Sequence, residues 1–295
     1  MGDLKKLIGK AAVLIEALPY IQRFRRKVVV VKYGGSTMGS GDPDAILRDI
    51  VFMGCVGIRP VVVHGGGNAI SARLKERGIA PRFVSGLRVT DAKTMKVVEE
   101  VLSEVNRGIV ARIGELGGCA RTVGGRDGVL RAKRHFPEVE KSGRGERADI
   151  GYVGDVAEVA VGPLRELLKK DVIPVIAPIG TDAEGNLYNI NADTAAGEVA
   201  AALKAEKLIL LTDVRGILRN PGDDRSLIET LRIGDIETLK AAGALTGGML
   251  PKVRAGVTSV RAGVPKTHIV DGRLPHSILL EVFTDAGIGT EIVKG

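Results

Sequence analysis

Four short runs in this chain are apolar at every position and stop at a glycine or polar turn: residues 28–31, 60–63, 172–176 and 208–211. A strand with one face in water alternates apolar and polar residues, so an unbroken apolar run marks a strand covered on both faces. Helix-like stretches separate these runs, at 43–53, 69–77, 92–116, 164–169 and 192–203. Alternating strands and helices build a parallel sheet with helices on either side. The expected fold class is therefore α/β, a three-layer α/β/α sandwich around a mainly parallel sheet. Ligands of such sheets bind at the carboxyl ends of the strands, where the glycine-rich segments fall here. The polar stretch 131–149 reads as an exposed loop or hairpin tip. The nearest thing to a domain boundary lies at residues 180–191.

Composition narrows the function. With 295 residues, 44% of them hydrophobic, the chain can bury one large core or two modest ones. Aromatic residues make up 3% and tryptophan is absent. Single-stranded nucleic acid is usually held on stacked aromatic rings, so the net charge of +8 is assigned to anionic small ligands and no nucleic-acid partner is expected. Cys55 and Cys119 stand in no CxxC or Cys/His cluster, so neither a disulfide framework nor a zinc site is indicated. The reading is a cytoplasmic protein with no permanently held metal. No apolar run approaches the roughly 20 residues of a membrane-spanning helix. Residues 5–26 are basic and amphipathic, but Asp3 precedes them and Glu16 interrupts them. Targeting peptides are poor in acids, and an interaction helix is the preferred reading.

The chemistry lies in the turns. There is no GxxxxGK[ST] loop, and no GxGxxG between a strand and a helix. Instead residues 28–31 run into Lys32, Tyr33, Gly34, Gly35 and Ser36, and residues 60–63 run into His64, Gly65, Gly66, Gly67 and Asn68. Glycines at strand ends let backbone N–H groups converge on phosphate oxygens, although either turn alone is equally explained as plain structure. The second turn also matches the HGGG segment of esterases, but no serine here has the flanking glycines of a GxSxG nucleophile elbow. Further on, Asn191 or Asp193 is placed to cap a helix. Thr212, Asp213 and Gly216 follow another strand, and Gly247, Gly248 and Met249 precede Lys252. Lys32, Lys252 and Asp193 are thus available at strand ends and glycine turns. Phosphoryl transfer asks for little else, since its catalysis is mainly positioning and charge neutralisation.

Taken together, these elements resemble the amino acid kinases, and within them the branch that phosphorylates the γ-carboxylate of N-acetyl-L-glutamate in arginine biosynthesis. Also in family order are the segment from Gly86 to Asp91 and the segment from Asp149 to Asp155. The resemblance implies an N-terminal interaction helix over 1–26, a lobe over 27–190 for N-acetylglutamate and dimerisation, and a lobe over 191–295 for ATP. Lys32 and Lys252 would stabilise the moving phosphoryl group, with Asp193 organising both. The N–H groups of Gly34, Gly35, Gly65 and Gly66 would receive phosphoryl oxygens. Arg88 would pair with the substrate α-carboxylate and Asn189 would bind its amino-acid end. Thr212, Asp213, Gly216, Gly247, Gly248 and Met249 would line the site of ATP, delivered with Mg2+.

The resemblance also extends to regulation. Arginine-sensitive members carry an N-terminal helix that links dimers into a hexamer, and Tyr20, His268, Glu281, Gly287 and Gly289 match their L-arginine region. The expectation is a homo-oligomer, dimer or hexamer, inhibited by arginine. Two departures stand out: Thr122, Val123, Gly124, Gly125, Arg126 and Asp127 replace the usual Gly-Leu-Ser-Gly-Lys-Asp, and Asn68 replaces a proline. They leave open a same-fold kinase acting on aminoadipate or glutamate linked to an acidic carrier protein. A non-catalytic arginine sensor is the more distant alternative.

Overall fold

A computed structural model describes residues 2–34, 43–141, 144–220, 222–284 and 287–295. The chain opens with helix α1 (Gly2–Phe24), strand β1 (Val28–Tyr33), helix α2 (Pro43–Cys55), strand β2 (Arg59–His64) and helix α3 (Gly67–Glu76). A two-residue hairpin, β3 (Phe83–Val84) and β4 (Leu87–Arg88), leads to the long helix α4 (Ala92–Glu115) and strand β5 (Ala120–Val123). Strands β6 (Leu130–Arg134), β7 (Glu138–Lys141), β8 (Arg144–Arg147) and β9 (Val153–Val159) precede α5 (Val161–Lys169). Then come β10 (Ile173–Ile176), β11 (Ile179–Thr181), β12 (Leu187–Ile190), α6 (Ala192–Leu203) and β13 (Lys207–Thr212). The chain closes with β14 (Thr230–Arg232), α7 (Ile236–Ala241), α8 (Met249–Arg261), β15 (Lys266–Asp271), α9 (Ser277–Val282) and β16 (Thr290–Val293).

Eight strands form one sheet in the order β14-β16-β15-β13-β1-β2-β10-β5. All its pairings are parallel except β15 with β16. The four apolar runs are β1, β2, β10 and β13, its adjacent central strands. Alternate residues serve opposite layers, because successive side chains of a strand point to opposite faces. Val30, Leu208 and Leu210 pack with Ala196, Val199 and Val253 of α6 and α8. Val29, Val31, Ile209 and Leu211 pack with Ile46, Ile50 and Ile278 of α2 and α9. The α/β/α expectation holds.

The sheet also moves some boundaries. The apolar run 28–31 stops before Lys32, but β1 continues through Tyr33, because Lys32 and Tyr33 pair in register with Val63 and His64 of β2. Lys32 therefore sits on a strand whose neighbours fix it, rather than in a turn. The stretch 131–149 supplies β6, one wall of a small closed barrel with β9, β11 and β12, and then the antiparallel hairpin of β7 with β8. Because β1 pairs with both β2 and β13, the sheet crosses the 190/191 point unbroken.

Helix α1 is attached only near its end. Phe24 is buried against the sheet core and Tyr20 meets Phe283 edge to face. Leu4, Leu7, Ile8, Val13, Leu14 and Ile15 are exposed.

Candidate active site

At the carboxyl ends of β1 and β2 the two glycine turns lie against each other. Gly65 N–H donates to the Tyr33 carbonyl (2.8 Å), and Gly34, at φ +154°, has no space for a side chain beside the Gly65 backbone. The Gly65 N–H is thus engaged by the neighbouring turn in this structure. Among the described residues the Gly66 N–H makes no backbone bond, and Gly66 stands at the N-terminus of α3. Gly65, Gly66 and Gly67 line a cavity of about 210 Å³, whereas Gly34 supports the turn from behind. Gly35 lies outside the described residues.

The same cavity is lined by Lys32, Arg88, Asn189 and Asp193, so residues far apart in sequence converge. Arg88 reaches it from the β3–β4 hairpin. Its Nη2 donates to the Gly67 carbonyl (2.9 Å) and to Ser71 Oγ (2.8 Å), and its guanidinium lies 4.8 Å from the Phe83 ring centroid. Among the described residues its buried Nη1 has no hydrogen-bond partner. Burial lowers the Arg88 pKa, but a guanidinium stays charged throughout the accessible range. A buried guanidinium with one amino group still unpaired is suited to an anion. Asn189 Nδ2 donates weakly to Thr90 Oγ1 at 3.4 Å, holding it at the rim. Ile70, Phe83, Leu102 and Val153 supply the apolar wall; sequence reasoning missed all four, because they come from four different elements.

Asp193 stands at the start of α6. Asn191 is the helix cap, accepting from the N–H groups of Asp193 and Thr194 at 2.9 and 3.0 Å. This leaves the Asp193 carboxylate free for the lysines. Lys32 Nζ lies 3.0 Å from its Oδ1 and Lys252 Nζ donates to Oδ2 at 3.0 Å. Lys252 projects from the first turn of α8, which packs so closely on α6 that a side chain at Gly197 would meet the Ala255 backbone. All three groups are largely buried. Burial raises the Asp193 pKa, but the two ammonium groups outweigh it and the net shift is downward. Two cations on one carboxylate leave net positive charge in a dry place.

Lys252 faces a second cavity, of about 360 Å³. Thr212 at the end of β13 and Asp213 and Gly216 beyond it line the cavity, with Gly248 and Met249 at the start of α8. Gly247 sits one residue behind, at φ +52°. The N-terminus of α8 has no side-chain cap, but its Met249 and Leu250 N–H groups donate to the Thr246 and Gly247 carbonyls and Pro251 has no N–H, so Lys252 is the charged donor that this end of the helix offers the cavity. The apolar lining, Val214, Ile217, Leu218 and Ala244, carried no motif in the sequence. Gly216 is pinned because a methyl there would clash with Leu227 and Thr290. Among the described residues no cluster of three His, Cys, Asp or Glu side chains gathers to hold a metal ion.

A third cavity, about 290 Å³, is lined by all five residues expected near arginine, Tyr20, His268, Glu281, Gly287 and Gly289, with Lys207, Glu229 and Glu291. His268 Nδ1 lies 2.6 Å from Glu281 Oε1, and Ile288 N–H donates to Oε2 at 3.0 Å. Burial lowers the His268 pKa. For Glu281 burial acts upward, but His268 and the Ile288 amide outweigh it and the carboxyl is held low.

A cavity edged by a glycine turn and a buried guanidinium meets a second cavity at a lysine–carboxylate–lysine bridge, an arrangement suited to a small-molecule phosphotransferase. The sequence profile of the amino acid kinase family matches residues 27–271, and the chain belongs to that family. Within it the chain groups with the acetylglutamate kinases. It is 53% identical over 294 residues to the acetylglutamate kinase of Heliobacterium modesticaldum, covering 98% of this chain and 99% of that one. It is 49% identical to that of Moorella thermoacetica, with 98% of each covered. Among solved structures, N-acetylglutamate synthase from Neisseria gonorrhoeae, complexed with coenzyme A and N-acetyl-glutamate, superposes with a TM-score of 0.82 at 27% identity. The match covers 97% of this chain and 63% of that longer one. The same synthase complexed with coenzyme A and L-arginine gives a TM-score of 0.79 at 28% identity, with 97% and 65% covered. Carbamate kinase from Giardia lamblia, at 19% identity and a TM-score of 0.62, shares the fold.

Proposed function

We infer that this protein transfers the terminal phosphoryl group of ATP to the γ-carboxylate of N-acetyl-L-glutamate, giving N-acetyl-L-glutamyl 5-phosphate in arginine biosynthesis. One observation carries the reading: Asp193 holds Lys32 at the cavity of Arg88 and Lys252 at the cavity of Thr212. A phosphoryl group passing between the cavities meets one lysine on each side. The attacking carboxylate is already ionised near neutral pH, so no general base is needed. Arg88 Nη1 takes the α-carboxylate, Asn189 the amino-acid end, and the apolar wall of the cavity the acetyl methyl. The adenine nucleoside lies in the apolar second cavity, with its phosphates toward Lys252. Mg2+ would come on those phosphates and neutralise their charge.

Incubation with Mg-ATP and N-acetyl-L-glutamate, followed by hydroxylamine trapping, tests this. A hydroxamate is expected; none, under conditions that saturate a control acetylglutamate kinase, would sink the reading.

The third cavity supports a second reading, inhibition by L-arginine, because Glu281, Glu291 and Glu229 offer carboxylates to a guanidinium while Lys207 offers a cation to a carboxylate. The α1 apolar face supports self-association through this helix into a dimer or hexamer. Among the described residues no helix is long and apolar enough to cross a membrane, and a cytoplasmic enzyme is the accompanying proposal. Unchanged activity at millimolar arginine would remove the regulatory claim, and light scattering would report the assembly.

A further inference from the structure

His64 takes no part in the steps above, yet it is fully buried at the end of β2 beside the substrate cavity. Both ring nitrogens are engaged. Nδ1 lies 2.8 Å from the Gly65 carbonyl oxygen and Nε2 lies 3.1 Å from Asn106 Nδ2. Asn106 Nδ2 also donates to the Val175 carbonyl at 2.9 Å. A carbonyl only accepts, so Asn106 presents its NH2 group to the ring and Nε2 must be the acceptor. The Gly65 oxygen likewise only accepts, so Nδ1 carries the proton. A neutral imidazole in one tautomer satisfies both contacts.

The consequence falls on the next peptide. A planar trans peptide points its C=O and its N–H in opposite directions. With the Gly65 carbonyl turned inward to His64, the Gly66 N–H is turned outward, toward the cavity that Gly65, Gly66 and Gly67 line. The Gly65 N–H is already committed to Tyr33, which leaves the Gly66 N–H, beside that of Gly67 in the first turn of α3, as a donor at this turn. Glycines on both sides of the peptide leave it free to rotate unless something holds it. Rotated by half a turn, it would present a carbonyl oxygen to the incoming anion.

We propose that His64 is a positioning residue for phosphoryl transfer: its Nδ1–H, oriented by Asn106, locks the Gly65–Gly66 peptide with the N–H facing the transferring phosphoryl group. The proposal rests on the kinase reading, which fails separately if the wild-type chain gives no hydroxamate.

Two substitutions divide the ring's contacts. His64→Asn places an amide N–H near the Nδ1 position and keeps the bond to the Gly65 oxygen. His64→Gln reaches toward Asn106 and leaves the Gly65 oxygen unpaired. We expect His64→Asn to stay within about 5-fold of wild-type kcat and His64→Gln to lose about 100-fold, the cost of one misplaced donor in a transition state. KM for N-acetyl-L-glutamate and for ATP should move less than about 3-fold in both, because the donor acts on the transferring group. A merely structural histidine predicts equal losses that follow the thermal midpoints, and that result overturns the proposal. Nitrogen NMR of the wild-type imidazole is independent of any variant's folding: protonated Nδ1 with bare Nε2 is expected, and the opposite tautomer overturns the proposal.

Discussion

Gly34 and Gly65 lie back to back: a methyl built on Gly34 would stand 2.4 Å from the Gly65 nitrogen. The turn after β1 and the turn after β2 are therefore one unit, stapled by the Gly65 N–H to the Tyr33 carbonyl. Gly34→Ala must push the turns apart and must also hold φ +154° with a side chain. Since a displacement of about 1 Å in a reacting geometry costs on the order of 100-fold, we expect at least that loss of kcat. Hydroxamate assay and a thermal melt check it, and wild-type kcat in the Gly34→Ala variant would contradict the stapled-turn account.

Asp193 separates charge from shape. Asp193→Asn keeps the volume but leaves Lys32 and Lys252 buried together without a counter-charge. Removing one partner from such a buried group costs about 3–5 kcal/mol, and the lysines lose their fixed orientation. A kcat lower by about 100- to 1000-fold is expected, with a lower urea midpoint in equilibrium unfolding.

Arg88→Lys retains the positive charge and loses the fork. A lysine carries all its donors on one nitrogen, so the nitrogen that bonds Gly67 and Ser71 cannot also stand at the Nη1 position, nor can it lie flat on Phe83. KM for N-acetyl-L-glutamate should rise about 10- to 100-fold, the value of a charged hydrogen bond, while KM for ATP stays the same. Parallel steady-state titrations of both substrates distinguish this from a general loss of structure.

Acid should destabilise the protein over a defined window. Burial pushes the His64 pKa down to about 4 from 6.5, so the unfolded chain takes up the proton first. The contribution is fully present above pH 6.5, is lost as pH falls toward 4, and then levels off, amounting to on the order of 3 kcal/mol. His268, also lowered by burial, acts in the same direction. Urea unfolding at pH 7.5 and pH 4.5 measures the difference, which should shrink in His64→Asn.

At the third cavity, Glu281→Gln removes a carboxylate positioned by His268 and the Ile288 amide. If arginine binds there, the concentration giving half-inhibition should rise at least about 10-fold, the loss of one charge-assisted contact. Titration of each variant, scaled to its own uninhibited rate, reads this directly.

The four apolar runs were legible as central strands because covering both faces removes every polar position, which leaves a mark in the sequence itself. The glycine turns, Lys32, Arg88, Asp193 and Lys252 were legible as motifs because phosphate chemistry needs particular residue types at strand ends. Their division of labour was not. The sequence offers Gly34, Gly65 and Gly66 as equivalent N–H donors, and only the pairing of β1 with β2 commits Gly65 to Tyr33 and leaves Gly66 open. Asn106 lies four residues after Leu102 on the apolar stripe of α4, and a lone amide there was the available signal of a buried polar contact. Its partner, His64, is 42 residues away, and no spacing rule links them.

The sequence by itself determined which elements form and which chemical groups sit at their ends, since periodicity and turn chemistry act over a few residues. Tertiary structure alone decided that Asp193 stands between Lys32 and Lys252, that Arg88 keeps one donor unused, and that each lysine faces a different cavity. Those facts depend on the crossing of α6 with α8 and on strand order in the sheet, where residues far apart in the chain meet because apolar faces must be buried together.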